Sequence, residues 1–139
     1  MKKIIVIIML IFLTGCGSTK LVCTGEESGT GYLLKEKYVY TFKKGEVSKA
    51  TMTVTRSLLG SNKTAEALAD HKAVADAAAK YYNDMDGVTA SVNARNDKVT
   101  LTVNINPSKM KDVYKKQYEL NLSIEDTRKS FEEKGYTCE

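Results

Sequence analysis

Residues 88–105 read VTASVNARNDKVTLTVNI, and the fold is decided there. Val88, Ala90, Val92 and Ala94 alternate with Thr89, Ser91 and Asn93. After a polar interruption, Val99, Leu101, Val103 and Ile105 alternate with Thr100, Thr102 and Asn104. A strand points successive side chains to opposite sides, so a period of two sorts apolar from polar residues. Arg95-Asn96-Asp97-Lys98 supplies the turn. The pattern predicts an antiparallel hairpin with one wet and one buried face, and the buried face needs a cover.

The nearest cover lies just upstream. Residues 64–82 are rich in Ala and contain neither Pro nor Gly, which predicts a long helix. Its expected inward stripe is Ala67, Leu68, His71, Val74, Ala75, Ala78, Tyr81 and Tyr82, at spacings of three and four. Small residues on that stripe let a helix lie close on a sheet. Residues 84–87 end it.

A second hairpin precedes this helix. Tyr38-Val39-Tyr40-Thr41-Phe42 is filled with aromatic and β-branched residues, with Tyr38, Tyr40 and Phe42 on one face. Lys43-Lys44-Gly45-Glu46 is the turn. Residues 47–56 return as a strand, with Ala50, Met52 and Val54 opposite Thr51, Thr53 and Thr55. Leu21-Val22-Cys23 predicts a short strand, residues 25–31 a glycine-rich turn or loop, and residues 58–63 a connection.

Downstream, Asn106-Pro107 fits a helix start, with a short helix to about Tyr114. Tyr118, Leu120 and Leu122 alternate and read as extended. Ser123 caps a last helix, with Asp126 completing a capping box. Ile124, Thr127, Phe131 and Lys134 outline its inward side, with Phe131 as anchor, and Gly135 is the stop. Tyr136-Thr137-Cys138 is a final extended piece. The expectation is an α+β domain over residues 21–139. It is an antiparallel sheet from two β-hairpins, with the long Ala-rich helix and the C-terminal helix packed on one face.

The first residues do not belong to that domain. Lys2 and Lys3 precede the apolar run IIVIIMLIFL, residues 4–13. Its length suits a secretory leader and falls short of the roughly 20 residues of a spanning helix. Leu13-Thr14-Gly15-Cys16 follows, and it resembles the lipobox of bacterial lipoproteins: a Leu, two small residues and a Cys. That resemblance implies a signal peptide over residues 1–15, cleavage before Cys16, and acyl chains on Cys16. Residues 16–20 become the lipidated cysteine and a short tether. The domain is then expected on the extracytoplasmic face of a cell membrane, held there by its lipid.

Three cysteines are an awkward number for an exported protein, since an odd one invites mispairing. Lipid on Cys16 leaves Cys23 and Cys138. Outside the cytoplasm such a pair tends to oxidise, and a bridge would clasp the start of the domain to its end. Two free thiols are the competing reading. The formal charge of +4 falls to +2 once Lys2 and Lys3 are removed. That is close to neutral and gives no reason to expect nucleic acid as a partner. Lys109, Lys111, Lys115 and Lys116 form a basic stretch with two readings, a solvated face or a contact for anionic lipid or wall polymer.

Chemistry is sparse. His71 is the single histidine, and adjacent Asp70 points elsewhere on the helix, so it does not orient the ring. One His and two cysteines do not make a zinc set. No G-x-S-x-G elbow is present. Asp84-Met85-Asp86-Gly87 lacks the spaced ligands of a calcium loop. Glu125 and Asp126 suit the positive end of a helix dipole, and Glu26 and Glu27 read as solvated loop carboxylates. No cofactor and no catalytic residue are expected. Eight tyrosines without a tryptophan are open to two readings, core material or a flat surface for a sugar or peptide.

Taken together, several segments resemble the YehR-like lipoproteins, a bacterial family with a domain of unknown function. They are the hairpin over residues 38–55, Lys80-Tyr81-Tyr82-Asn83, Gly87-Val88, Ser123-Ile124-Glu125-Asp126 and Lys134-Gly135-Tyr136. The resemblance implies a small α+β lipoprotein domain and assigns no functional residue. The sequence thus predicts a non-enzymatic binding or interaction domain for a protein, peptide or envelope component. The alternative is a cell-envelope hydrolase whose carboxylate or tyrosine site is assembled only in the fold.

Overall fold

The structure, a computed structural model, describes residues 17–139. Cys16 and the expected leader, residues 1–15, lie outside the described residues. The chain runs β1 (Thr19–Gly29), β2 (Tyr32–Lys43), β3 (Glu46–Leu58), α1 (Ala65–Asn83), β4 (Val88–Arg95), β5 (Lys98–Ile105), α2 (Asp112–Gln117), α3 (Ile124–Glu133) and β6 (Thr137–Cys138). Single 3-10 turns stand at Gly60–Asn62 and Pro107–Lys109. The fold is α+β, as the hairpin patterns predict. All six strands form one antiparallel sheet in the order β4-β5-β3-β2-β1-β6.

The hairpin of residues 88–105 forms in the expected register, with Arg95 opposite Lys98. Asn96 and Asp97 both take positive φ, 52° and 59°, which a two-residue turn needs to match the twist of its strands. Val99, Leu101, Val103 and Ile105 are buried, whereas Thr100, Thr102 and Asn104 face outward. β5 then pairs with β3, which joins the two hairpins into one sheet.

Two readings of the N-terminal half are corrected. Residues 25–29 belong to the long strand β1, paired residue by residue with β2 from Thr19 opposite Phe42 to Gly29 opposite Tyr32. The glycines serve neighbouring rings there. A Cβ on Gly25 would stand 2.7 Å from the Tyr136 ring, and one on Gly29 would stand 2.2 Å from the Tyr32 ring. The absence of a side chain is what lets aromatic rings lie on the strand. Glu26 is therefore no loop carboxylate; it pairs across strands with Lys35 at 3.1 Å. The β2–β3 ladder also carries a register shift between Thr41 and Phe42, for which the sequence reading had no expectation. Ser48 is the extra residue, and its hydroxyl donates to the Thr41 carbonyl at 3.0 Å. The bulge turns Val47 inward beside Phe42, on the side that simple alternation from Ala50 would give to Ser48.

Helix α1 begins where expected, with the Thr64 hydroxyl accepting from the Ala67 N–H at 3.1 Å. Its inward face is narrower than the predicted stripe. Ala67, Leu68, His71, Ala75, Ala78 and Tyr82 are partly buried and Ala79 fully so, but Val74 and Tyr81 are 61% and 56% exposed. At about 100° per residue these two fall some 60–80° to the side of His71, past the line where the helix meets the sheet. α1 packs on β4 and β5. α3 packs on β1 and β6, anchored by Phe131 as predicted. Ser123 caps it: its hydroxyl accepts from the Asp126 N–H at 3.1 Å and donates to the Asp126 carboxylate at 2.8 Å, where a full capping box would use the Ser123 N–H.

The segment between the last strand of the hairpin and α3 departs most from expectation. The helix start at Asn106-Pro107 gives only one 3-10 turn, and a separate α2 follows. Tyr118, Leu120 and Leu122 are not extended. Glu119 takes φ of 54°, so the chain reverses and buries Leu120 alone.

Candidate functional site

Cys23 and Cys138 sit opposite each other on β1 and β6 and form a disulfide. Val22 and Glu139 exchange both backbone hydrogen bonds beside it. The two-residue β6 is thus held covalently and by the ladder. Cys16, the third predicted site residue, lies outside the described residues.

The aromatic residues resolve mainly as core. Tyr38, Tyr40 and Tyr136 surround Phe131 at ring distances of 4.7, 5.8 and 5.2 Å. Tyr82 and Tyr118 continue the cluster at 6.4 Å. Burial raises the phenol pKa of Tyr40, because an ionised ring there loses its hydration. Tyr118 is pushed up to about 12, first by burial and then by Tyr81. Tyr136 is raised first by burial and then by donating to the carboxylate of Glu36, which favours its neutral form. Tyr81 alone among the tyrosines stays largely open to solvent.

A second polar group lies under the start of α1. Arg56 on β3 donates from Nη1 to Nδ1 of His71 at 3.0 Å. A guanidinium cannot accept, so Nδ1 is the unprotonated nitrogen and the ring proton sits on Nε2. The guanidinium also lies 4.7 Å from the centroid of the Tyr32 ring, whose edge meets His71 at 5.6 Å. Arg56 and His71 line a small cavity of about 160 Å³ with Val54, Ala78 and Leu101, and it is where the single histidine is used. Among the described residues no three His, Cys, Asp or Glu side chains converge as a metal set.

The broadest ordered polar surface is the helix-free face of the sheet, which sequence reasoning saw strand by strand but did not assemble. Three rows cross it. One runs Asn93, Thr100, Thr55, Lys35, Glu26; the next Ser91, Thr102, Thr53, Lys37, Thr24; the third Thr89, Asn104, Thr51, Val39, Val22. Neighbours in the rows tie one another: Thr51 donates to Asn104 at 3.1 Å, and the Thr55 and Thr100 hydroxyls meet at 3.3 Å. A shallow concavity of about 570 Å³ opens on this face, lined by threonines, by Lys35 and Lys37, and by Glu26 and Glu36. Short β-branched side chains lose little freedom on contact, and each hydroxyl both donates and accepts. Chemically the face offers hydrogen bonds and charges of both signs, with Lys35 already paired to Glu26, and so suits a polar partner.

Comparison with known proteins adds to the fold. No protein-family model matches the chain, and no curated protein matches it. A protein from Streptococcus pneumoniae TIGR4, solved by NMR, is similar in structure with a TM-score of 0.57 and 10% sequence identity. The likeness covers 88% of this chain and 85% of that one. At that identity it speaks to the arrangement of strands and helices alone.

Proposed function

We propose that the chain is a bacterial lipoprotein, held on the extracytoplasmic side of a membrane by acyl chains on Cys16. In this reading its domain binds a protein, peptide or envelope component and is not an enzyme. The observation that carries the binding reading is the helix-free sheet face, with its three ordered rows of mainly hydroxyl, amide and charged side chains. The leader and Leu13-Thr14-Gly15-Cys16 support the anchor, as do the motifs resembling the YehR-like lipoproteins. An oxidised Cys23–Cys138 pair is in keeping with life outside the cytoplasm.

The test is capture of partners from detergent-solubilised membranes with the anchor intact. The expected result is one stoichiometric partner, lost on Thr53→Glu or Thr102→Glu while the melting temperature is kept. Recovery of no partner across several conditions would overturn the binding reading. So would turnover in a broad hydrolase screen that vanishes on a single carboxylate substitution. The anchor is tested by Cys16→Ser: a variant still processed and membrane-bound like the parent ends the lipoprotein reading.

A further inference from the structure

Arg56 stands on β3 in line with Met52 and Val54, on the face that carries α1, and its donors are largely unused there. A guanidinium has five N–H bonds and no acceptor. Within the fold Arg56 has one hydrogen-bond partner, Nδ1 of His71, and that partner is neutral. Its Nε is buried with no partner at all. Among the described residues no carboxylate pairs with Arg56. Glu36, opposite Val54 on β2, accepts from the Tyr136 hydroxyl, and Glu27 lies two strands away, about 10 Å. On α1, Asp70 is exposed and Asp76 is taken up by Lys72. Only the Tyr32 ring offsets part of the cost of burying this charge.

The cavity that Arg56 and His71 line is otherwise apolar, walled by Val54, Val74, Ala75, Ala78, Val99 and Leu101. Its volume of about 160 Å³ equals that of about five waters in the liquid, enough for a short branched chain with a carboxylate and too little for a sugar or a nucleotide. Apolar walls offer no hydrogen bond to a hydrated ion. They suit an occupant that is apolar along its length and charged at one end. The guanidinium selects an anionic end. Its Nε–H and the neighbouring Nη2–H point the same way and match the two oxygens of a carboxylate, whereas His71 engages Nη1. Nε is shut from solvent, so the pair meets an acceptor when the side chain turns toward the cavity it borders.

We propose that this cavity binds a carboxylate carried on a small branched apolar group. The apolar part lies among Val54, Ala78 and Leu101, and the carboxylate takes the Nε–H and Nη2–H pair of Arg56. His71 and Tyr32 hold the guanidinium in place for it. This chemistry belongs both to a free aliphatic acid and to the C-terminal residue of a peptide. The cavity lies on the opposite side of the sheet from the threonine rows, and it depends neither on them nor on an anchor at Cys16.

The full-length protein, in a neutral detergent near neutral pH, is titrated with isocaproate and followed by NMR of its methyl and arginine side-chain groups. The methyls of Val54, Val74 and Leu101 and the Nε–H of Arg56 should shift together and saturate, with Val39 and Val113 unmoved. Isocaproate should bind at least about ten-fold more tightly than acetate, which lacks the apolar part, and than isocaproamide, which lacks the charge. Ala78→Leu fills the cavity and leaves Arg56 in place, so it should abolish the shifts while the melting temperature is kept. Arg56→Lys keeps a charge without the fork and should weaken binding by at least about ten-fold. A tripeptide ending in leucine, with a free or an amidated terminus, separates the two sources. Tighter binding of the free-ended peptide than of isocaproate assigns the cavity to chain ends, and weaker binding assigns it to free acids. Acetate, isocaproamide or inorganic phosphate binding as tightly as isocaproate overturns the proposal. So do unshifted cavity methyls, or unchanged binding by either variant.

Discussion

Ser130 and Lys134 both donate to one carboxylate oxygen of Glu119, at 2.9 and 3.2 Å. Glu119 itself occupies the positive-φ turn that buries Leu120. The bond from Ser130, helped by Lys134, holds its pKa below the ordinary glutamate value. A carboxyl with a lowered folded pKa stabilises the fold above its unfolded pKa and loses that contribution as pH falls through the folded value. Glu119→Gln should therefore flatten the fall in melting temperature between about pH 5 and pH 3, while at pH 7 the variant melts slightly lower. The side chain is 43% exposed, so the effect belongs with surface pairs, below about 1 kcal/mol. Parallel melting curves for parent and variant across that range would remove Glu119 from the account. At this scale much was illegible in the sequence. Gly25 read as loop because a glycine in a strand makes sense only when the ring that covers it is known, and Tyr136 is more than a hundred residues away. Ser48 gives no local sign of a bulge; its extra residue is settled by Phe42 and Val47 both seeking the core.

Among the elements, the strongly patterned ones were legible: the hairpin of β4 and β5, the β2–β3 hairpin, α1 from its Ala-rich run without Pro or Gly, and α3 from its Ser123 cap. Each carries its own pattern in consecutive residues, so tertiary packing only confirmed it. Residues 118–122 misled because three alternating apolar residues suit a strand and a tight reversal equally, and the choice is made by Glu119 and its partners. The helix-free face was half legible. Each row of threonines was visible in its own strand, but the pairing of β3 with β5 that lines them up is a long-range event. The outer strand β4 shows how an element end can serve a neighbour. Asn83, the last residue of α1, accepts from the Ala90 N–H at 2.7 Å and donates to its carbonyl at 3.0 Å, much as another strand would. This blocks the middle of an otherwise open edge, where a second chain could add. Asn83→Ala should leave monomer folding nearly intact and raise self-association, read as a concentration-dependent rise in sedimentation coefficient. A variant that stays monomeric at every concentration would mean that the edge is protected by other means.

For the whole molecule, the Cys23–Cys138 bridge joins positions 115 apart and so restrains nearly the entire unfolded chain. Loops of that size are worth up to about 4–5 kcal/mol in the chain-entropy view, and about 2–4 kcal/mol is typical in practice. The double variant Cys23→Ala, Cys138→Ala should lose about 2–4 kcal/mol in urea unfolding, with little change in the slope against denaturant, and should no longer respond to reductant. A loss below about 0.5 kcal/mol would show that β6 is held by its ladder and by Tyr136 alone. The cysteine count was legible in the sequence as an argument about pairing. The register that sets the two residues opposite each other was not, because it depends on where α3 ends.

The same bridge has a consequence for timing. In the lipoprotein reading proposed above, a chain exported N-terminus first would deliver Cys23 more than a hundred residues before Cys138. Until Cys138 followed, Cys23 would have no native partner, β1 would have no outer neighbour, and the clasp could not close. The finished sheet would then be a record that the chain had arrived at least as far as β6.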